Sequence, residues 1–223
     1  MKKVNKVEEN RIKLELKIKE VTGWHKARVY VIVALIMAII QERSVNLKRL
    51  ASYLNSKLED KANYRRVTRF FQKFEFDRRM FTKLLASFLP KNEKWTLIMD
   101  RTNWKFGKTH INILVLAVKY KGIAIPILWY LLDKKRGNSS YRDRIRIVRE
   151  FINLFGVEKI EVLLADREFI GKEWFAWLQR REIPFVIRVR NNTLVNGKKV
   201  STLFAKVPNK GFLHLKKVCN VWY

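Results

Sequence analysis

The sequence predicts an α/β chain in three parts. A helical stretch covers 1–90, a mixed sheet in the order β-β-β-α-β-α-β covers 91–192, and the start of a β-rich segment covers 193–223. Three observations carry this reading. At Pro90 the hydrophobic pattern changes from helical spacing to short apolar runs. From Trp95 onward three strand-like runs come first and helix then alternates with strand, the pattern of a mixed sheet with helices on its faces. Past 192, Asn196-Gly197 lies between short β-type runs as a hairpin signal, and Lys210-Gly211 repeats it more weakly.

The elements follow in order. Residues 6–20 set Ile12, Leu14, Leu16 and Ile18 among charges, a spacing that suits a helix or a strand. Residues 24–42 read as a buried helix ending at Gln41-Glu42-Arg43. Its apolar run, 29–40, is too short to span a bilayer. Ser44 or Asn46 can cap the next helix, 46–55, whose apolar face is Leu47, Leu50, Ala51 and Leu54. Residues 62–74 form a basic amphipathic helix. Val67, Phe70, Phe71 and Phe74 are expected to face a core, with Arg65, Arg66, Arg69 and Lys73 facing out. The pair 46–55 and 62–74 is compatible with a helix-turn-helix and with an ordinary helical bundle, because their connection exceeds the usual tight turn. A last helix covers 77–88, and Leu89-Pro90 ends it.

In the second part, 95–99 is a short apolar strand that Asp100 is expected to end before a Thr-Asn turn. Strands follow at 108–120 and 123–132, and Pro126 in the latter argues for an edge or a bulge. A polar loop, 133–140, leads to helix 141–155 with Gly156 as its C-cap. Strand 159–165 ends at Asp166. Helix 172–182 and strand 184–190 complete the order.

Composition narrows the function. Lys and Arg number 48 against 20 Asp and Glu, a net charge of +28. Such an excess repels itself in a compact chain and calls for a polyanionic partner, nucleic acid above all and an anionic membrane surface far behind. Hydrophobic residues make up 48%, enough for a real core. Cys219 is the one cysteine, which excludes a disulfide framework and a Cys-based zinc site. His25, His110 and His214 lie too far apart for metal-ligand spacing. With no leader-like N-terminus and no membrane-length run, a cytoplasmic, nucleoid-associated protein with no membrane partner is expected.

Asp100 and Asp166 stand out because each directly follows an apolar strand. If those strands are neighbours in the sheet, the two carboxylates meet, and ionising both is costly unless a cation lies between them. Mg²⁺ (or Mn²⁺) prefers carboxylate oxygens, and two such ions about 3.5–4 Å apart support phosphodiester chemistry. Asp100 and Asp166 are therefore the candidate catalytic and metal-binding pair, with helix or turn capping as the alternative for each. Glu168 fits a surface role or a pair with Arg167 better than a ligand. Arg101, Lys105, Lys134, Lys135, Arg136 and Arg142 lie on segments leading from the strand ends and are candidate phosphate contacts, beside Arg65, Arg66, Arg69 and Lys73 of the basic helix. Trp104 and Phe106 suit either base stacking or core packing.

The stretches DRTNWKFG (100–107) and LLADREFIG (163–171) resemble the first two catalytic blocks of bacterial insertion-sequence DDE transposases of the type-four group, and LLDKKRGNSS (131–140) is similar to that family's pattern. NYRRVTRFFQKF resembles the end-binding helical region less specifically. The resemblance covers roughly 45–192. It implies a ribonuclease H-like core, divalent ions held by Asp, Asp and Glu, and nicking at transposon ends with strand transfer by the freed 3′-hydroxyl. It further implies dimers on paired ends of double-stranded DNA. Asp100 and Asp166 match the first two acids. The third, a Glu in a Tyr-Arg-Glu-Lys type pattern beyond a β-rich insertion, has no match here, and Glu168, Glu173 and Glu182 lie too close to Asp166 to replace it. A chain truncated before the third acid, inactive alone, is the expectation. A non-catalytic end-binding protein is the alternative.

Overall fold

The reason the first unit is built from helices is clearest at the ambiguous segment. In the computed structural model, which describes residues 6–54, 57–75, 77–132, 137–208, 211, 213 and 221–222, α1 runs Lys6–Thr22 as a helix. Only every second one of the alternating apolar residues packs: Ile12 and Leu16 are exposed. Leu14, Ile18 and Val21, spaced i, i+4, i+7, join a core cluster instead. Ion pairs Arg11–Glu15, Arg11–Glu8, Lys13–Glu9 and Lys17–Glu20 at helical spacing support the exposed side.

Helix α2 (Lys26–Glu42) explains its unbroken apolar run by lying between two clusters. Val29, Ile32 and Val33 enter the first, while Val31, Leu35 and Ala38 enter the second. It ends at Arg43, whose left-handed backbone (φ 49°) lets its N–H reach the Ile39 carbonyl. Of the two possible caps for α3 (Leu47–Ala51), Asn46 serves: its side chain accepts from the N–H groups of Lys48 and Arg49. This helix is shorter than expected, with a turn over 52–54. Helix α4 (Asp60–Lys73) buries Asn63 and Val67 and packs Phe70 against both clusters. Phe74, just past its end, is buried in the first cluster. Phe71 corrects the expectation: it is 47% exposed, because one residue beyond Phe70 turns the side chain about 100° off the buried stripe. Helix α5 (Arg78–Ala86), capped by Asp77, closes this unit, Met1–Leu89.

The second unit, Pro90–Tyr223, is built on a five-stranded sheet of order β3-β2-β1-β4-β5. The strands are β1 (Trp95–Phe106), β2 (Thr109–Tyr120), β3 (Ile123–Leu131), β4 (Ile160–Ala165) and β5 (Phe185–Ile187). Strand β2 alone runs against the others: β1 and β3 pair with it antiparallel, and β4 joins β1 and β5 in parallel. This is the mixed, ribonuclease H-like arrangement the resemblance implies. Pro126 lies on the edge strand and beside a register shift, so its missing N–H breaks no inner ladder bond. Helix α6 (Tyr141–Phe155) covers the sheet with Ile147, Val148 and Phe151, and Phe151 and Phe155 meet Trp95 edge-on. Helix α7 (Lys172–Arg180) buries Trp174, Trp177 and Leu178.

Two expectations in this unit change. Strand β1 does not end at Asp100. It continues to Phe106 as one arm of a long hairpin, because β2 pairs with it from Leu97↔Val118 out to Phe106↔Thr109. Strand β5 covers 185–187 and stops short of 190. Beyond it, β6 (Leu194–Val195), β7 (Lys198–Lys199) and β8 (Val221–Trp222) form a small sheet, joined at Asn196-Gly197, where both residues have positive φ as a type I′ turn requires. A short helix, α8 (Val200–Leu203), was not foreseen. The turn at Lys210 lies outside the described residues. Among the described residues no helix is long and apolar enough to cross a membrane.

Candidate functional site

Asp100 and Asp166 owe their positions to one seam. Strand β1 pairs with β4 in parallel through Leu97↔Leu163, Ile98↔Leu164 and Met99↔Ala165, and there the ladder stops. The next residue on each side is an aspartate. Asp166 keeps an extended backbone (φ −81°, ψ 173°), so the strand direction continues through it. Carried one residue further, the register sets Asp100 opposite Asp166, and residues opposite one another share a face of the sheet. Adjacent strands lie about 4.8 Å apart. Leu97, Met99 and Leu163 fill the buried face, while both aspartates are exposed. Neither carboxylate has an ion pair or hydrogen bond among the described residues, and Asp166 makes no side-chain cap bond, so helix capping does not explain it.

The backbone after Asp166 is pinned from two sides. A short 3₁₀ turn, Arg167–Phe169, follows it, with Phe169 fully buried. From β1, Arg101 grips the Glu168 carboxylate with both ends of its fork: Nε to Oε1 at 2.8 Å and Nη2 to Oε2 at 2.9 Å. Arg101 also reaches Asn112 Oδ1 at 3.3 Å. From α6, buried Arg144 donates to the Glu168 carbonyl at 2.9 Å, the Ile170 carbonyl at 3.1 Å, and Oγ and O of Ser139 at 3.0 and 2.8 Å. Its guanidinium also lies over the Phe169 ring. Burial lowers the Arg144 pKa, opposed by the charges of Glu168 and Asp143, yet the guanidinium stays charged because its ordinary value is so high.

Two expectations are thereby corrected. Arg101, a candidate phosphate contact, is 10% exposed and committed to Glu168. Glu168 pairs with Arg101 rather than Arg167. Among the other candidates, Lys105 is exposed on the β1 arm, and Arg142 is exposed beside the Tyr141 ring, whose hydroxyl raises the Arg142 pKa. Trp104 is 62% exposed, which rules out core packing for it. Lys134, Lys135 and Arg136, with Asp133, lie outside the described residues.

In the helical unit, Arg65, Arg66, Arg69 and Lys73 come together. With Arg28 they rim a groove of about 610 Å³ between α2 and α4, floored by Val31, Phe70 and Phe74. Arg66 lies over the Tyr30 ring at 5.2 Å and Arg28 over Phe74 at 5.5 Å.

Sequence reasoning missed Arg144, although a signal existed. Arg144, Ile147, Val148 and Phe151 fall at i, i+3, i+4 and i+7, so this arginine sits on the apolar stripe of α6 and needs buried partners. It also passed over Arg167, Arg188 and Arg190 near the end of β4.

The Transposase DDE domain family profile matches residues 91–222. No curated protein matches the chain. Among solved structures, it is similar to a chain of the simian T-cell lymphotropic virus intasome in complex with PP2A regulatory subunit B56 gamma. That pair shares 18% identity and a TM-score of 0.34, over 45% of this chain and 36% of that one. It is similar too to the HTLV-2 integrase catalytic core domain in complex with magnesium. The trimeric form gives 17% identity and a TM-score of 0.32, over 43% and 60% of the two chains. The dimeric form gives 20% and 0.31, over 44% and 62%. The chain thus spans less than two thirds of each of these solved chains.

Proposed function

We propose that this chain, which belongs to the transposase DDE domain family, cuts DNA phosphodiesters at transposon ends and joins the freed 3′-hydroxyl to a target strand. One observation carries the reading: the β1–β4 register that ends at Met99↔Ala165 and leaves an aspartate next on each strand. Neighbouring carboxylates without a protein cation repel one another, and a hard divalent ion relieves that cost. Asp100 and Asp166 fit Mg²⁺ or Mn²⁺ by donor chemistry. Both are exposed oxygen ligands, and such ions take one or two carboxylates and fill their shell with water and phosphate. When bound, divalent ions supply activation of the attacking oxygen and charge stabilisation of the leaving one.

The protein's own residues do the positioning. Arg101 and Arg144 fix the turn that carries Asp166. Lys105 and Arg142 near the strand ends, and Arg65, Arg66, Arg69 and Lys73 on α4, hold backbone phosphates, which orients a duplex without reading its bases. The helical unit binds the transposon end, 91–192 performs the chemistry, and 193–223 opens a β-rich insertion. The finer assignment to the type-four insertion-sequence group is supported by DRTNWKFG and LLADREFIG. In that reading a homodimer holds paired ends in the nucleoid, and a third acid that no residue of 1–223 matches completes each site.

A second reading, a non-catalytic protein that occupies transposon ends, is favoured by one observation. Among the described residues no three His, Cys, Asp or Glu side chains gather where an ion could be held. End binding with and without Mn²⁺ separates the two. For the enzyme, Mn²⁺ tightens binding to a duplex carrying the terminal repeats, and Asp100→Asn or Asp166→Asn abolishes that response. Variants that bind like the parent chain, with or without metal, reject the enzyme and leave the pure binding protein.

A further inference from the structure

We infer that Arg167, Arg188 and Arg190 form a phosphate cradle for the DNA strand running past the two aspartates. The inference deepens the proposed function and rests on its reading of Asp100 and Asp166 as the reaction centre. It starts from the end of β4. The Arg188 N–H donates to the Ala165 carbonyl at 3.1 Å, which ties the residues after β5 to the last residue before Asp166. Arg167 is the residue after that aspartate. These arginines, with Asn191 and Asn192, line a cleft of about 350 Å³. A second cleft, of about 230 Å³, shares Arg167, Arg190 and Asn192 with it and adds Asn138, Glu168 and Thr193.

The charges of these clefts are not balanced from within. All three arginines are exposed, and none has a side-chain ion pair or hydrogen bond among the described residues. The one carboxylate present, on Glu168, is already held at both oxygens by Arg101. Three like charges therefore converge on concave surface, and among the described residues that line it no carboxylate is left to pair with them, an arrangement that an incoming anion stabilises. Arginine forks suit phosphate oxygens, and the Asn side chains add neutral donors. The location fits as well: in open α/β sheets ligands bind outside the carboxyl ends of the parallel strands, and both clefts lie at that end of β4 and β5. A repeating phosphodiester backbone serves adjoining clefts that share residues, where a single small anion would need one.

The salt dependence of duplex binding by the full chain tests this, because each phosphate held adds about 0.9 to the slope of log affinity against log salt, whatever the helical unit contributes. The variant Arg167→Gln/Arg188→Gln/Arg190→Gln is expected to lower the slope by roughly 2 to 3, with an unchanged circular dichroism spectrum. The comparator is Lys94→Gln/Lys119→Gln/Lys121→Gln, three exposed lysines at the opposite end of the sheet; its slope should stay near the parent value. An unchanged slope in the arginine variant, an equal fall in the comparator, or a fall seen with duplex RNA only would overturn the cradle. Mn²⁺ binding by Asp100→Asn and Asp166→Asn, measured alongside, keeps the two claims apart. If Mn²⁺ binding needs the acids but the slope does not move, the cradle alone fails. If the slope falls but Mn²⁺ binding ignores the acids, phosphate gripping stands and its placement beside a metal centre is overturned.

Discussion

Two basic amphipathic helices put arginines to opposite use. Helix α4 contains RRVTRFF and α6 contains RIRIVRE. In α4 the buried stripe is Asn63, Val67 and Phe70, so Arg65, Arg69 and Lys73 point to solvent around a groove. In α6 an arginine takes a place on the buried stripe itself, and Arg144 turns inward to four protein oxygens. Net charge does not separate these roles. Position relative to the apolar stripe does. A cation facing out is free to meet phosphate, whereas one facing in survives only by satisfying its donors, and here it does so by holding the backbone beside Asp166.

That contrast can be broken by substitution. The largest effect is expected from Arg144→Met, which leaves the carbonyls of Ser139, Glu168 and Ile170 without their donor. Urea unfolding should show a loss of about 3–5 kcal/mol, and a loss under about 1 kcal/mol would mean the guanidinium holds nothing. Next comes Arg101→Ala. The pair it breaks is bidentate but partly exposed, so about 2–3 kcal/mol is expected. Equal destabilisation by Lys105→Ala, its exposed neighbour on the same strand, would erase the distinction between inward and outward cations. Ser140→Ala removes the capping box of α6, in which Ser140 and Asp143 bond reciprocally, and should cost about 1 kcal/mol, read as a small drop in melting temperature. The smallest stability effects belong to α4. Arg65→Gln, Arg69→Gln and Lys73→Gln should each stay within about 0.5 kcal/mol, while each lowers the salt slope of DNA binding by about 0.9 for every phosphate that the cation had neutralised.

The order of strands and helices along the chain was legible because their patterns alternate plainly after Pro90, and Pro126 and Asn196-Gly197 marked an edge with a bulge and a turn. The aspartate pair was legible because each acid follows an apolar run. The length of β1 was not. Asp100 looks like a strand end, yet the strand continues because β2 supplies an antiparallel partner out to Thr109, a tertiary effect that the Thr-Asn pair does not reveal. The partner of Glu168 was hidden for a similar reason: Arg101 lies 67 residues away in sequence and reaches it only once β1 and β4 are side by side. Phe71 misled because four aromatic and apolar residues within one helix suggested a face wider than the buried stripe is.

The proposed catalysis depends on Asp100 and Asp166 sharing a divalent cation at the end of the β1–β4 seam. The most direct measurement is Mn²⁺ binding to the full chain in the absence of DNA, followed by electron paramagnetic resonance. Loss of the bound signal in both Asp100→Asn and Asp166→Asn, with folding retained, is the predicted result. Mn²⁺ binding that survives either substitution unchanged would contradict it.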